Sequence, residues 1–141
     1  MTLTRFQKIA LGISGITAFG IGAAILTAPH AFYAGYGIAL GTEPSLLSEL
    51  RAPAASLAAF GLLMLAGIVR QGFAPVSMAV ALTVFLAFPA GRLVGVLVDG
   101  IPSAGLLGAL AVELGIAGLC LVAFRPRPAT LAKGGRRVTA P

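Results

Sequence analysis

Charged residues are scarce in this sequence. Four acidic and ten basic residues make up 10% of its 141 positions, Trp is absent, and hydrophobic residues reach 58%. A water-soluble domain needs a charged and polar shell around its core, which this composition cannot supply. The composition therefore excludes an ordinary soluble domain and indicates a membrane protein.

Cysteine and histidine are scarcer still, with one of each, Cys120 and His30. A single cysteine cannot form an internal disulfide, and a single histidine without further ligands at metal spacing does not make a zinc site. No nucleophile beside a base and no phosphate-binding loop can be recognised either. The sequence thus predicts no catalytic residue, no metal site and no cofactor.

Long uncharged runs separate the few charged residues. Four runs of about 18 to 26 residues are each long enough, at 1.5 Å per residue, to cross a hydrocarbon core of about 30 Å. Such runs should be helices, because backbone groups in lipid must hydrogen-bond within their own segment. We predict an all-α protein with one domain over residues 1–124, a bundle of four transmembrane helices at approximately 6–28, 50–70, 73–98 and 103–124.

The basic residues cluster at one end of these spans, which predicts that both termini are cytoplasmic. The tail, residues 125–141, is basic and rich in Pro and Gly, typical of a segment that lies on anionic lipid or docks on a partner. Topology and lipid attraction account for the excess positive charge, so we predict membrane lipids and no nucleic acid as partners. The basic residues on this face are Arg5, Lys8, Arg70, Arg125, Arg127, Lys133, Arg136 and Arg137.

The opposite face collects an aromatic group, Phe32, Tyr33 and Tyr36, which is typical of an interfacial belt. Arg51 precedes Pro53 by two residues, so we expect it in the first turn of the second helix or in the loop before it, where proline is tolerated. The charged residues on this side form the predicted binding site: Glu49, Arg51, Arg92, Asp99 and Glu113.

Two residues of that site lie deep in their helices. Arg92 is about 10 Å from the end of the third helix, and Glu113 is about 15 Å into the fourth if Ser103 caps it. A charge at such depth costs about 2.5 to 3.5 kcal/mol on insertion scales, so it should face the bundle and find a partner. We therefore predict that Arg92 and Glu113 pair.

Small residues recur at four-residue spacing in several spans, and such stripes let helices pack closely. In the third span the stripe runs beside Arg92, which predicts a tight seam against the fourth helix. The stripes are Ala10, Ser14, Ala18 and Gly22 in the first span, Ala54 and Ala58 in the second, and Ala79, Thr83, Ala87, Gly91 and Gly95 in the third.

Three short segments resemble one known family: LSELRAP at the second span, GRLVGVLVDGIPS from the third span into the turn, and the isolated Glu-Leu of the fourth. They are similar to small bacterial four-helix membrane proteins catalogued as a domain of unknown function. The resemblance covers roughly residues 6–125 and implies a bacterial inner-membrane location and a four-helix fold, but it says nothing about activity. Residues 52–55 depart from the Gly-rich continuation of relatives. The implied polar positions include Glu49, Arg51, Arg92, Asp99 and Glu113.

Three functional interpretations remain open. The favoured one is an accessory or interaction subunit that forms a homo-oligomer or joins a larger membrane complex, with the charge cluster as an internal framework. The second is a binding or transport module that takes a quinone, a lipid or a small anion at Arg92 and Glu113. The third is a small membrane enzyme that uses Glu113 as acid or base.

Overall fold

The computed structural model describes residues 2–125, and all regular structure within that range is helical. The predicted tail therefore lies outside the described residues, apart from Arg125. A single 3-10 turn, Gln71–Phe73, precedes the fourth helix. The helices are α1 (Arg5–Thr27), α2 (Pro29–Ala34), α3 (Pro44–Val69), α4 (Ala74–Asp99) and α5 (Ala104–Ala123).

Four of these helices, α1, α3, α4 and α5, are long and apolar enough to cross a membrane. Many of their large side chains are exposed, such as Ile16 at 66% and Leu97 at 85%. Apolar surface of this extent is unfavourable in water and natural in lipid. The predicted all-α fold with four membrane-spanning helices is thus confirmed.

Polar side chains cap the N-termini of three of the helices. Thr4 and Gln7 form a reciprocal capping box at the start of α1, and Ser103 caps α5 by accepting from the Leu106 amide, as expected. Glu43 caps α3, since its carboxylate accepts from the amides of Ser45 at 3.1 Å and Leu46 at 2.8 Å. These contacts satisfy amides that have no partner within the helix.

The start of α3 differs from the prediction. The helix begins at Pro44 rather than near residue 50, because Glu43 supplies the cap and Pro44 suits the first helical position. Arg51 and Pro53 consequently lie inside the helix instead of in its first turn. The first-turn placement was wrong because Pro53 was taken as a start signal, although Glu43 and Pro44 carry the stronger one.

The α1–α3 contact is built on glycine. A Cβ added to Gly22 would lie 2.5 Å from the Ala58 amide nitrogen, and one added to Gly61 would overlap the Phe19 backbone. The two backbones can meet only because these Cβ atoms are absent. Ala18 and Ala54 are also buried, so the stripes predicted on the first two spans do face other helices.

The stripe predicted on the third span lies elsewhere. Ala79, Thr83, Ala87 and Gly91 of α4 are exposed, and Gly95 is half-buried. The expectation of a small-residue seam beside Arg92 was therefore wrong. The buried face of α4 carries Ser77, Ala81 and Phe85 together with Val84, so small and large side chains alternate on the inner face, which is a different face from the predicted stripe.

The two ends of the bundle are distinct. At the termini end, the Gln7 Nε2 atom donates to the Ala123 carbonyl at 3.2 Å, which brings the start of α1 beside the end of α5. At the opposite end, termed the α2 end, the Ser103 hydroxyl donates to the Tyr36 carbonyl at 2.9 Å. Arg51 Nε donates there to the Leu26 carbonyl at 3.2 Å, joining α3 to α1.

Candidate functional site

Arg92 and Glu113 form an ion pair between α4 and α5. The Nε atom of Arg92 lies 3.0 Å from Oε1 and 2.9 Å from Oε2 of Glu113. The Glu113 side chain is 8% exposed and that of Arg92 is 32% exposed. The predicted pairing is confirmed, and the carboxylate is the more buried partner.

Helix periodicity brings the two side chains together. On α5, Glu113 shares a buried stripe with Ala117 and Cys120, at spacings of four and three residues. On α4, Arg92 comes three residues after the buried Pro89 and seven after the buried Phe85. Because α4 and α5 are joined by a short turn, residues at similar distances from that turn meet.

Cys120 and Ser14 connect the same face of α5 to α1. The Ser14 hydroxyl donates to the Ala10 carbonyl at 2.7 Å and lies 3.1 Å from the Cys120 sulfur. Both residues are fully buried. This polar contact lies toward the termini end and closes the bundle below Glu113.

A cavity of about 370 Å³ lies above this contact, between α1, α4 and α5. Its wall is largely apolar, with Ile21 and Ile25 of α1 and Phe85 and Phe88 of α4, and Arg92 and Glu113 are the charged residues among the described lining. Cavities of this size and character are typical of small-molecule sites. The ion pair is therefore part of the cavity wall rather than only a link between two helices.

Three aromatic residues line the cavity at the α2 end. Phe32, Tyr33 and Tyr36 all contribute, with the Phe32 ring 5.4 Å from that of Tyr33 and 5.3 Å from that of Tyr36, both edge to face. The hydrogen bond from Ser103 to the Tyr36 carbonyl ties this aromatic group to the start of α5. The cavity thus extends from the ion pair to an aromatic rim.

A family model described as a domain of unknown function (DUF4345) matches residues 6–124. The chain belongs to the DUF4345 family. The family resemblance inferred from the sequence motifs is therefore confirmed. No curated protein and no solved structure matches the chain.

The other three predicted site residues of this DUF4345 chain do not join the cavity lining. Glu49 and Asp99 are exposed, and Arg51 is exposed with its Nε on the Leu26 carbonyl. The helix that begins at Pro44 places Glu49 and Arg51 on the exposed surface at the α2 end. Of the five predicted residues, the structure brings together Arg92 and Glu113, and any ligand-binding role of the five stays a prediction.

His30 does not line the cavity either. Its Nε2 atom lies 3.2 Å from the Gly41 carbonyl oxygen, a contact that holds the loop between α2 and α3 against α2. Within residues 2–125, no group of three His, Cys, Asp or Glu side chains is arranged to hold a metal ion.

The aromatic group is the part of this DUF4345 site that the sequence interpretation missed. Phe32, Tyr33 and Tyr36 were assigned to a membrane interface from their position between two spans. Phe32 and Tyr33 lie on α2, whereas Tyr36 lies in the turn that follows it. Helical spacing therefore does not predict that all three residues line one cavity.

Proposed function

We propose that this protein is a multi-pass protein of the bacterial inner membrane that binds a small, largely apolar ligand from the membrane. The binding site is the cavity between α1, α4 and α5. The observation that carries the proposal is the cavity of about 370 Å³, in which one ion pair is the charged feature of an otherwise apolar and aromatic wall.

The unfilled space beside the ion pair supports a binding role over a purely structural one. Protein interiors are close-packed, and voids much larger than a water molecule are few. An ion pair that only fixes helix order needs no adjoining space, whereas a ligand site needs space beside its polar groups. A lipid or a quinone suits such a wall, because each combines an apolar body with a polar end.

The proposal is tested by filling the cavity without substituting either residue of the ion pair. Ala109 lines the cavity on α5, and the exposed Ala111 on the same helix does not. The protein is extracted gently from its membrane and examined by native mass spectrometry as wild type, Ala109→Phe and Ala111→Phe. We expect a bound small molecule in wild type and Ala111→Phe, and its loss in Ala109→Phe.

Two outcomes would contradict the binding role. One is a wild-type protein that carries no small molecule at any extraction strength. The other is retention of the same molecule by Ala109→Phe, which would locate it on the lipid-facing surface. Thermal unfolding of both variants serves as the control for folding, since each introduces the same side chain into the same helix.

A second candidate function is that of an interaction subunit, which forms a homo-oligomer or joins a larger membrane complex. Its support is the stripe of α4, exposed apart from the half-buried Gly95, because small residues at four-residue spacing are favourable where helices of two chains meet in lipid. In this arrangement the stripe contacts a partner helix. The stripe consists of Ala79, Thr83, Ala87, Gly91 and Gly95.

The stripe is tested by enlarging one of its residues. Ala87→Leu is compared with Ala111→Leu, an exposed position on α5. If α4 is an interface, Ala87→Leu shifts the protein to a smaller assembly in native mass spectrometry and size-exclusion chromatography, while Ala111→Leu does not. Identical assemblies for both variants and wild type would contradict a contact at α4.

Acid–base catalysis by Glu113, the third interpretation, gains no support from the described residues. Both carboxylate oxygens accept from the Nε of Arg92. For the orientation we propose that both termini face the cytoplasm, on the basis of the one-sided basic residues.

A further inference from the structure

Glu113 uses one of the five N–H groups of the Arg92 guanidinium. Both contacts to the carboxylate come from Nε, and within residues 2–125 the two terminal nitrogens donate no hydrogen bond. Those nitrogens carry four N–H groups. The described part of the chain contains no buried side-chain nitrogen or oxygen that lacks a partner, so the terminal nitrogens retain accessible surface. Arg92 itself lines the cavity, so these N–H groups are the donors that it can offer to a ligand there.

The cavity lining that offers these donors carries no net charge. The charged residues of the described lining are Arg92 and Glu113, and their formal charges cancel. An anionic ligand end would add a charge beside a carboxylate that is 8% exposed, in surroundings of low dielectric. An uncharged oxygen accepts the same hydrogen bonds and adds no charge.

We propose that the cavity selects ligands whose polar end is an uncharged carbonyl oxygen, which accepts from the terminal nitrogens of Arg92. Glu113 is the residue that sets this preference, because it neutralises Arg92 and holds its Nε. The inference rests on the proposed binding function and narrows its ligand to neutral carbonyl compounds of the membrane. The carbonyl belongs either to a quinone ring or to a lipid ester.

A matched pair of probes tests the charge preference. Methyl palmitate and palmitate have the same acyl chain and differ in whether the polar end is a neutral ester or a carboxylate. Their dissociation constants are measured by native mass spectrometry on delipidated full-length protein at pH 8, where palmitate is ionised. We expect the ester to bind wild type about tenfold more tightly than the acid.

Glu113→Gln should invert this preference. The substitution leaves the Arg92 charge uncompensated, so the carboxylate of palmitate becomes the better partner and binds more tightly than the ester. The double variant Arg92→Gln with Glu113→Gln has no charge at the site and should lose discrimination between the two probes. It also serves as the test if Glu113→Gln alone does not fold.

A third probe, decylubiquinone, distinguishes the two sources of the carbonyl. Tighter binding of decylubiquinone than of methyl palmitate assigns the cavity to quinone rings, and the reverse order assigns it to lipid esters. In either case Ala109→Phe should abolish binding of the preferred probe, whereas Ala111→Phe should retain it.

The outcomes separate failure of the inference from failure of the proposed function. If no probe binds wild type in a manner sensitive to Ala109→Phe, the binding function itself is overturned. If palmitate binds wild type as tightly as the ester or more tightly, the cavity is a ligand site but the neutral-carbonyl preference is wrong. An unchanged preference in both Glu113→Gln and the double variant would remove Glu113 as its determinant.

Discussion

Arg92 and Glu113 depend on each other at the scale of single residues. Glu113 keeps 8% of its side chain exposed, so its charge relies on the Arg92 Nε for stabilisation. Removing one partner of a buried pair leaves the other uncompensated, whereas removing both can be nearly neutral. The pair is thus best tested as a unit.

A double-mutant cycle should show this dependence. Arg92→Leu is expected to lower the free energy of unfolding by about 3 kcal/mol, and Arg92→Leu with Glu113→Leu should recover most of that loss. Thermal and denaturant unfolding in detergent measure both. Glu113→Leu alone completes the cycle, and if the effects of the two single substitutions simply add in the double variant, the pair contributes nothing as a pair.

Glu43 acts at the same scale but at the surface. Hydrogen bonds from the Leu46 and Ser45 amides hold the pKa of the Glu43 carboxyl below its ordinary value. A lowered pKa in the folded state means that this cap stabilises above the ordinary pKa and that its contribution is lost as pH falls through the folded value.

Glu43→Gln should therefore lower the melting temperature at pH 7, with the difference from wild type shrinking as the pH is lowered below about 4. Glu49→Gln, an exposed acid later in α3, is the control and should have a smaller effect at every pH. A pH-independent difference for Glu43→Gln would show that charge is not what the cap supplies.

At the scale of elements, α1 and α3 pack closely because the glycines at their contact have no side chains. The backbone of Phe19 lies where a Cβ on Gly61 would be, and that Cβ would also come within 2.7 Å of the Gly15 carbonyl oxygen. Neither neighbour is a flexible side chain, so the helices must separate to admit a methyl group.

We expect Gly61→Ala to destabilise the protein by about 1 to 3 kcal/mol through overpacking. Gly20→Ala on α1, where a Cβ would meet nothing within 4 Å, is the matched control and should be neutral or slightly stabilising. Melting temperatures in detergent distinguish the two. Similar melting temperatures for both variants would mean that the α1–α3 contact is looser than described.

At the scale of the whole molecule, both ends of the described chain lie at the same end of the bundle. The bond from Gln7 to the Ala123 carbonyl establishes this, and the aromatic rim of the cavity lies at the other end. If the basic face is cytoplasmic, the rim of the cavity opens toward the outer leaflet.

Cysteine labelling checks that orientation. Cys120 is the single cysteine and is fully buried, so a Cys120→Ala background leaves no other thiol. Gly41→Cys should react with a membrane-impermeant maleimide in intact cells, and Thr2→Cys only after permeabilisation. The reverse pattern would place the termini outside and the rim of the cavity in the cytoplasm.

Sequence by itself determined the fold class, the four spans and the pairing of Arg92 with Glu113. Uncharged run length sets the number of helices, and the cost of a charge deep in the membrane requires Arg92 and Glu113, on consecutive spans, to find a partner. Both are local quantities that can be counted along the chain. The start of α3 was misjudged because two candidate start signals, Pro44 and Pro53, compete within ten residues of sequence.

Only the tertiary structure determines where the cavity forms and which stripes of small residues face the interior of the bundle. The cavity is the space left between α1, α4 and α5, and Leu57 of α3 and the aromatic group also line it, so it exists only once these elements have packed together. On α4, Ala81 and Phe85 are buried, whereas Ala87 and Gly91 are exposed. In lipid, small and large apolar faces of a helix carry similar hydrophobicity, so periodicity cannot choose between them and packing against neighbouring helices does.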